Sequence, residues 1–197
     1  MEVKETNLKF REGMEKRSKI LEYIVIHHTA STRDMTVQEI HQLHLNQGEN
    51  WKGIGYHFYI DKKGVIWRGR PEEMSGSHAL NYNSVSIGIC LSGNFEIEKP
   101  TEKQIQSVTD LVKYLRKKYG NFKLVGHKDL NATACPGQYL YSQLLSIDAN
   151  ANEEYVKVFM SNNKLSVVLD NGDKFTHSFT DKNELLRKLS IGLKITK

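Results

Sequence analysis

Short apolar runs alternate along the chain with longer stretches in which apolar residues recur every three or four positions, and this alternation predicts the elements. Residues 20–26 are apolar on both faces (Leu21, Ile24, Val25, Ile26), which predicts a strand covered on both sides, running on into His27 and His28. Thr36 with Glu39 three positions later is a capping box. It opens a predicted helix that carries Val37, Ile40, Leu43 and His44 on one face and ends at Gln47-Gly48. Residues 55–60 and 65–68 flank the turn chemistry of Asp61-Lys62-Lys63-Gly64, which predicts a β-hairpin. Residues 84–91 alternate and then become apolar, giving a core strand that carries Cys90. Thr101 with Gln104 is a second capping box. The helix behind it has Ile105, Val108, Leu111, Val112, Leu115 and Tyr119 at helical spacing and Gly120 as its stop. A last strand at residues 122–125 delivers His127. Strands and helices in this order predict an α/β fold, a central mixed β-sheet flanked by helices.

The pattern changes at both ends. Residues 1–19 are polar and charged and read as an N-terminal arm laid over the main domain, which spans residues 20–147. Residues 148–154 are small and polar and read as a linker. Beyond it, residues 155–197 read as a small C-terminal α+β unit. Its strands fall near residues 156–158, 165–169 and 175–179, and a short helix carries Leu185, Leu186 and Leu189. A unit this small is marginal alone, so it is expected to pack on the main domain or on another copy of itself.

Composition narrows the class. Hydrophobic content of 39% and charged content of 26% are those of a soluble globular protein. No apolar run reaches the roughly 20 residues of a membrane span, and Met1-Glu2-Val3-Lys4-Glu5-Thr6 lacks the order of a secretory signal. Synthesis in the cytoplasm without membrane insertion is therefore expected. The net charge of +5 is spread out, without the basic and aromatic clusters of a nucleic-acid binder. It would mildly favour an anionic polymer. Two cysteines make no disulfide framework.

The candidate chemistry sits at two strand ends. Tyr23-Ile24-Val25-Ile26-His27-His28 runs into a histidine pair. Gly126-His127-Lys128-Asp129-Leu130-Asn131-Ala132-Thr133-Ala134-Cys135-Pro136-Gly137 holds a His and a Cys eight positions apart, across a stretch too irregular for one helix face. Two imidazoles and one thiolate make a Zn2+ site with three protein ligands and an open fourth position, the arrangement of catalytic zinc. The residues thus predict a zinc hydrolase that draws its ligands from the His27-His28 pair, His127 and Cys135. His28, on the opposite side of the strand, is expected to be structural. Cys90 is expected to be a core residue, and His41 and His44 to sit at the surface or a groove edge.

Five segments in order resemble the type 2 N-acetylmuramoyl-L-alanine amidases, a group that includes phage lysozyme-type amidases and animal peptidoglycan recognition proteins. They are Ile26-His27-His28-Thr29-Ala30, Gly55-Tyr56-His57-Phe58, Gly76-Ser77-His78-Ala79, Ser86-Ile87-Gly88-Ile89 and the His127-to-Gly137 stretch. The resemblance covers about residues 20–145. It implies that the main domain is a zinc amidase whose groove receives bacterial peptidoglycan, and that it cleaves the lactyl amide between N-acetylmuramic acid and L-Ala. It also implies the ligands His27, His127 and Cys135, and catalytic roles for Tyr56 and Thr133. In the cytoplasmic muropeptide amidases a Glu in the strand equivalent to residues 86–91 helps catalysis; here Cys90 stands there. His78 is expected to line the substrate groove and is one candidate for the proton shuttle. The missing signal, single catalytic domain and short C-terminal unit resemble a phage endolysin, held in the host bacterial cytoplasm before release to the wall. The alternative is a zinc-free peptidoglycan-binding or regulatory module on the same fold.

Overall fold

The structure is a computed structural model that describes residues 1–18, 20–152, 157–161, 164–168 and 174–178. The chain forms two compact units, Met1–Asn152 and Glu153–Lys197. In the first, the elements in chain order are β1 (Val3–Lys4), β2 (Tyr23–His28), α1 (Val37–Leu45), β3 (Phe58–Ile60), β4 (Ile66–Arg68), β5 (Ser86–Leu91), α2 (Glu102–Tyr119), β6 (Lys123–Gly126), α3 (Gln138–Tyr141) and α4 (Leu144–Asn152). The strands make one sheet in the order β1-β4-β3-β5-β2-β6. All neighbours run parallel except the β3–β4 hairpin, so this is the mixed α/β sheet that the alternating pattern predicts.

Period-two alternation along the strands gives the sheet two faces. On one, Ile24 and Ile26 of β2 and Ile87, Ile89 and Leu91 of β5 meet Val108, Leu111, Val112 and Leu115 of α2 and Ile147 of α4. On the other, Tyr59 and Cys90 meet Met35, Val37, Ile40 and Ile54. His27 lies in register with Cys90 across β2 and β5, on this second face. Both capping boxes form as hydrogen bonds. Glu39 N donates to Thr36 Oγ1 at 3.2 Å and Thr36 N to Glu39 Oε2 at 2.7 Å; Gln104 N donates to Thr101 Oγ1 at 3.1 Å and Thr101 N to Gln104 Oε1 at 3.0 Å. These bonds satisfy backbone donors that the first helical turn leaves open.

Residues 1–18 run across the unit. β1 pairs with β4, and Leu8 and Phe10 pack on the smaller core. Arg11 donates to the carbonyls of Leu45, Gly48 and Trp51 and so ties down the end of α1.

Three details depart from the sequence reading. Ile20 is 74% exposed and precedes the strand, which begins at Tyr23. The buried stripe of α1 is Val37, Ile40 and His41, whereas Leu43 is 52% exposed. Helical spacing from Val37 passes through residues 40, 41 and 44 and leaves residue 43 to the side. Residues 148–152 are no linker: they are the last turns of α4, where Ala151 is buried in the larger core. Small residues that look like linker chemistry serve equally well in a helix packed closely on a sheet. In the second unit β7 (Lys157–Ser161), β8 (Lys164–Val168) and β9 (Lys174–Ser178) form an antiparallel meander. The helix expected around Leu185, Leu186 and Leu189 lies outside the described residues.

Candidate metal centre

Unequal strand lengths build the site. Pairing of β2 with β6 stops at Ile26–Gly126, while pairing of β2 with β5 continues to His28–Leu91. β6 then turns into a single 3-10 turn, His127–Asp129. His27 and His127 therefore leave adjacent strand ends side by side, with ring centroids 4.5 Å apart. The loop that follows is pinned. Lys128 N donates to the Cys135 carbonyl at 2.8 Å, Gly126 N to Asp129 Oδ2 at 2.8 Å, and the Tyr141 hydroxyl to Asp129 Oδ1 at 2.6 Å. Cys135 is thus brought back onto the strand ends. One donor atom from each of His27, His127 and Cys135 lies within 4.8 Å of the others.

The sulfur has a backbone donor for the same topological reason. The N–H groups of Tyr23 and Thr29 face β5, so those of even-numbered residues in β2 face β6. Where β6 has ended, the His28 N–H is left over, and it serves the Cys135 sulfur. The His28 ring turns to the other face, where its Nδ1 accepts from Phe95 N at 3.2 Å, the structural role expected of it.

The electrostatics suit a cation. Burial, followed by the neighbouring His127, His28 and His44, holds His27 well below the usual histidine range, and burial also lowers His127. Both imidazoles are therefore neutral near pH 7. Asn131 fixes the form of His127: its Oδ1, 3.1 Å from His127 Nε2, can only accept, and its Nδ2 is spent on the Leu80 carbonyl. His127 must then carry its proton on Nε2. Burial pushes the Cys135 thiol up to about 12 despite the His28 N–H. A thiolate in this place needs a positive charge beside it, which a bound metal ion supplies by deprotonating the thiol outright. Zinc bonds of ~2.0–2.1 Å to nitrogen and ~2.3 Å to sulfur at tetrahedral angles set the two donors roughly 3.5–3.6 Å apart. Cys135 Sγ lies 3.6 Å from His27 Nδ1. The donor set fits zinc in type and number, and the His27–Cys135 pair fits it in spacing.

Around this centre, the Tyr56 ring lies tilted against the His27 ring, centroids 5.0 Å apart. Burial and then the Cys90 and Cys135 thiols hold its phenol well above the usual tyrosine range, so it keeps its proton. Cys90 is fully buried in the smaller core, its thiol raised by burial. Thr133 is exposed, and its Oγ1 accepts from Cys135 N at 3.2 Å, which fixes the chain just before the cysteine. His44 lies half-buried between Trp51 at 4.8 Å and Tyr56 at 5.4 Å, its ring tilted against both. His41 is not at the surface: it is buried, taking Ile54 N on Nδ1 and facing the Lys9 carbonyl with Nε2.

His78 also differs from expectation. It is 9% exposed, with Nδ1 3.0 Å from His27 Nε2 and Nε2 facing Ser86 Oγ, so its ring is buried behind the candidate ligand His27 rather than open to a substrate. Sequence reasoning missed this, and it missed Asn131 altogether. For Asn131 a signal was present, since an acceptor four residues after a ligand histidine in a tight turn is in reach of its second nitrogen.

The family model described as N-acetylmuramoyl-L-alanine amidase matches residues 16–138. The endolysin of Klebsiella phage KP32 is 37% identical over an alignment of 113 residues, and the match covers 55% of this chain and 74% of the relative. Among solved structures, the N-acetylmuramoyl-L-alanine amidase LysC from Clostridium intestinale URNW aligns with a TM-score of 0.70 at 38% identity, over 77% of this chain and 98% of that one. Peptidoglycan recognition protein-LE, solved in complex with tracheal cytotoxin (monomeric diaminopimelic acid-type peptidoglycan), aligns with a TM-score of 0.65 at 26% identity over 71% of this chain and 87% of that one.

Proposed function

The chain belongs to the N-acetylmuramoyl-L-alanine amidase family, and from that premise we propose that it is a zinc-dependent amidase of the phage-endolysin kind. Its substrate is bacterial peptidoglycan, and the bond is the lactyl amide joining N-acetylmuramic acid to L-Ala. The observation that carries this reading is the convergence of His27, His127 and Cys135 donors within 4.8 Å of one another. The alternative of a zinc-free binding module has no comparable use for a half-buried thiol among neutral imidazoles.

His27, His127 and Cys135 would hold the metal, and zinc bound there supplies Lewis acidity toward an amide carbonyl and toward water. The chain's own groups do the rest. Tyr56, kept neutral by burial, donates a hydrogen bond to the oxygen that gains charge as the amide carbon becomes tetrahedral. A well-aimed donor of this kind is worth roughly 3–4 kcal/mol. Thr133 accepts from Cys135 N, which leaves its own hydroxyl proton free to donate to the same oxygen. The products are a lactyl carboxylate and a free L-Ala amine. His78, committed to His27 and Ser86, does not serve as the proton shuttle.

The endolysin relatives support a role in wall lysis, with the enzyme held in the host bacterial cytoplasm before release to the peptidoglycan. Among the described residues no helix is long and apolar enough to cross a membrane. The test is Cys135→Ser: it should fold, lose most of its zinc by elemental analysis and lose most amidase activity. Full activity with no bound metal would contradict the reading.

A further inference from the structure

We propose that His78 is a positioning residue, which fixes the tautomer of His27 so that His27 presents Nδ1 to the metal. The inference rests on the zinc reading above, but its argument is one of hydrogen-bond direction. The Tyr82 carbonyl can only accept, so the Ser86 hydroxyl, 2.6 Å away, spends its single proton there. The lone pair of Ser86 Oγ then faces His78 Nε2 at 3.5 Å, which places the His78 proton on Nε2. A neutral imidazole protonated on Nε2 has a bare Nδ1. That Nδ1 lies 3.0 Å from His27 Nε2 and must accept from it. His27 is left with a bare Nδ1, the atom 3.6 Å from Cys135 Sγ.

The surroundings hold the His78 ring in this pose. A Cβ on Gly76 or Gly88 would come within 2.4 or 2.6 Å of the ring, so the two glycines form a slot that only their missing side chains leave open. The backbone is tied as well, since Asn83 Oδ1 accepts from His78 N at 2.7 Å and from Ala79 N at 2.9 Å. Metal-binding histidines generally donate their second N–H to an outer partner that sets tautomer and ring orientation, and losing that partner weakens metal binding by about 10–100-fold. Here the partner is a second imidazole, backed by a hydroxyl and a carbonyl.

The experiment has two readouts on the full chain. Imidazole 15N–1H correlation spectra of the zinc-free protein report the His27 tautomer, and competition with a chelator gives the zinc Kd. The wild type should show His27 protonated on Nε2. His78→Leu should spread His27 over both tautomers and weaken zinc by about 10–100-fold. His78→Asn, whose Oδ1 offers an acceptor where Nδ1 stood, should restore the tautomer and most of the affinity. A leucine variant with unchanged tautomer and unchanged Kd overturns the proposal. If that variant does not fold, Ser86→Ala decides: mixed His27 tautomers support the relay, and His27 still wholly protonated on Nε2 overturns it. Absence of zinc binding by the wild type would sink the zinc reading alone, because the tautomer spectra still judge His78.

Discussion

Seven histidines of the first unit owe their role to which ring nitrogen is bare, and backbone N–H groups make that choice for four of them. His28, His41, His44 and His57 each accept a main-chain N–H on Nδ1. His57 is the most confined, with Gly88 N on Nδ1 at 3.0 Å and Met74 O facing Nε2 at 3.0 Å. A second proton on His57 would meet the Gly88 N–H head on, and burial holds the ring at about 4 against 6.5 for a free histidine. The folded value is depressed, so between pH 6.5 and about 4 the unfolded chain takes a proton that the native one refuses. Stability is full above pH 6.5 and falls through that window, by about 3 kcal/mol from this one group. In an NMR titration the His57 ring should stay neutral down to about pH 4, and a midpoint near 6.5 would contradict the account. The Tyr56 hydroxyl gives a second test. Tyr56→Phe should keep zinc and fold while turnover falls by roughly 10²-fold or more, and unchanged turnover would leave Tyr56 as a packing residue. The candidate ligand cluster was legible in the sequence, because a strand ending in His and a His-to-Cys loop carry their chemistry in residue type and spacing, and the structure brings those donors together. The role of His78 was not. It depends on a slot between Gly76 and Gly88 and on a contact with a residue 51 positions away, which no local pattern records.

At the scale of elements, the fold was legible where period and capping agree. Both capping boxes appear as the sequence placed them, and the β3–β4 hairpin forms with its first strand shortened to Phe58–Ile60. What the pattern could not give is relative strand length. That β2 outlasts β6 by two residues follows from tertiary pairing, yet it is what sets His27 beside His127 and frees the His28 N–H for Cys135. The face of α1 was misjudged at Leu43, and the end of α4 was mistaken for a linker, because Asp148, Ala149 and Asn150 carry no periodic apolar signal of their own. The caps can be tested directly. α2 covers the larger core, so Thr101→Ala, which removes the acceptor for Gln104 N, should lower stability by about 1 kcal/mol. Urea unfolding would show this as a lower midpoint at unchanged slope. An unchanged midpoint would mean that packing of α2 alone sets its stability.

For the whole molecule, the proposed chemistry lies within Met1–Asn152, and Glu153–Lys197 is a separate compact unit containing none of the site residues. A protein ending at Asn152 should therefore keep its zinc and cleave small soluble muropeptides at the full-length rate. If the second unit binds the wall or pairs with another copy, the shortened protein should be weaker on intact cells, since a tethered contact raises the local concentration of enzyme at the polymer. Equal activity of both forms on intact cells would reject that tethering role. The central claim, a zinc-dependent amidase acting on the lactyl bond, is tested most directly by digesting purified peptidoglycan with the zinc-loaded protein and reading the products by mass spectrometry. The account predicts free L-Ala amino termini without new reducing sugar ends, lost on chelation and restored by added zinc. New reducing ends without new amino termini, or full cleavage after complete removal of metal, would contradict it.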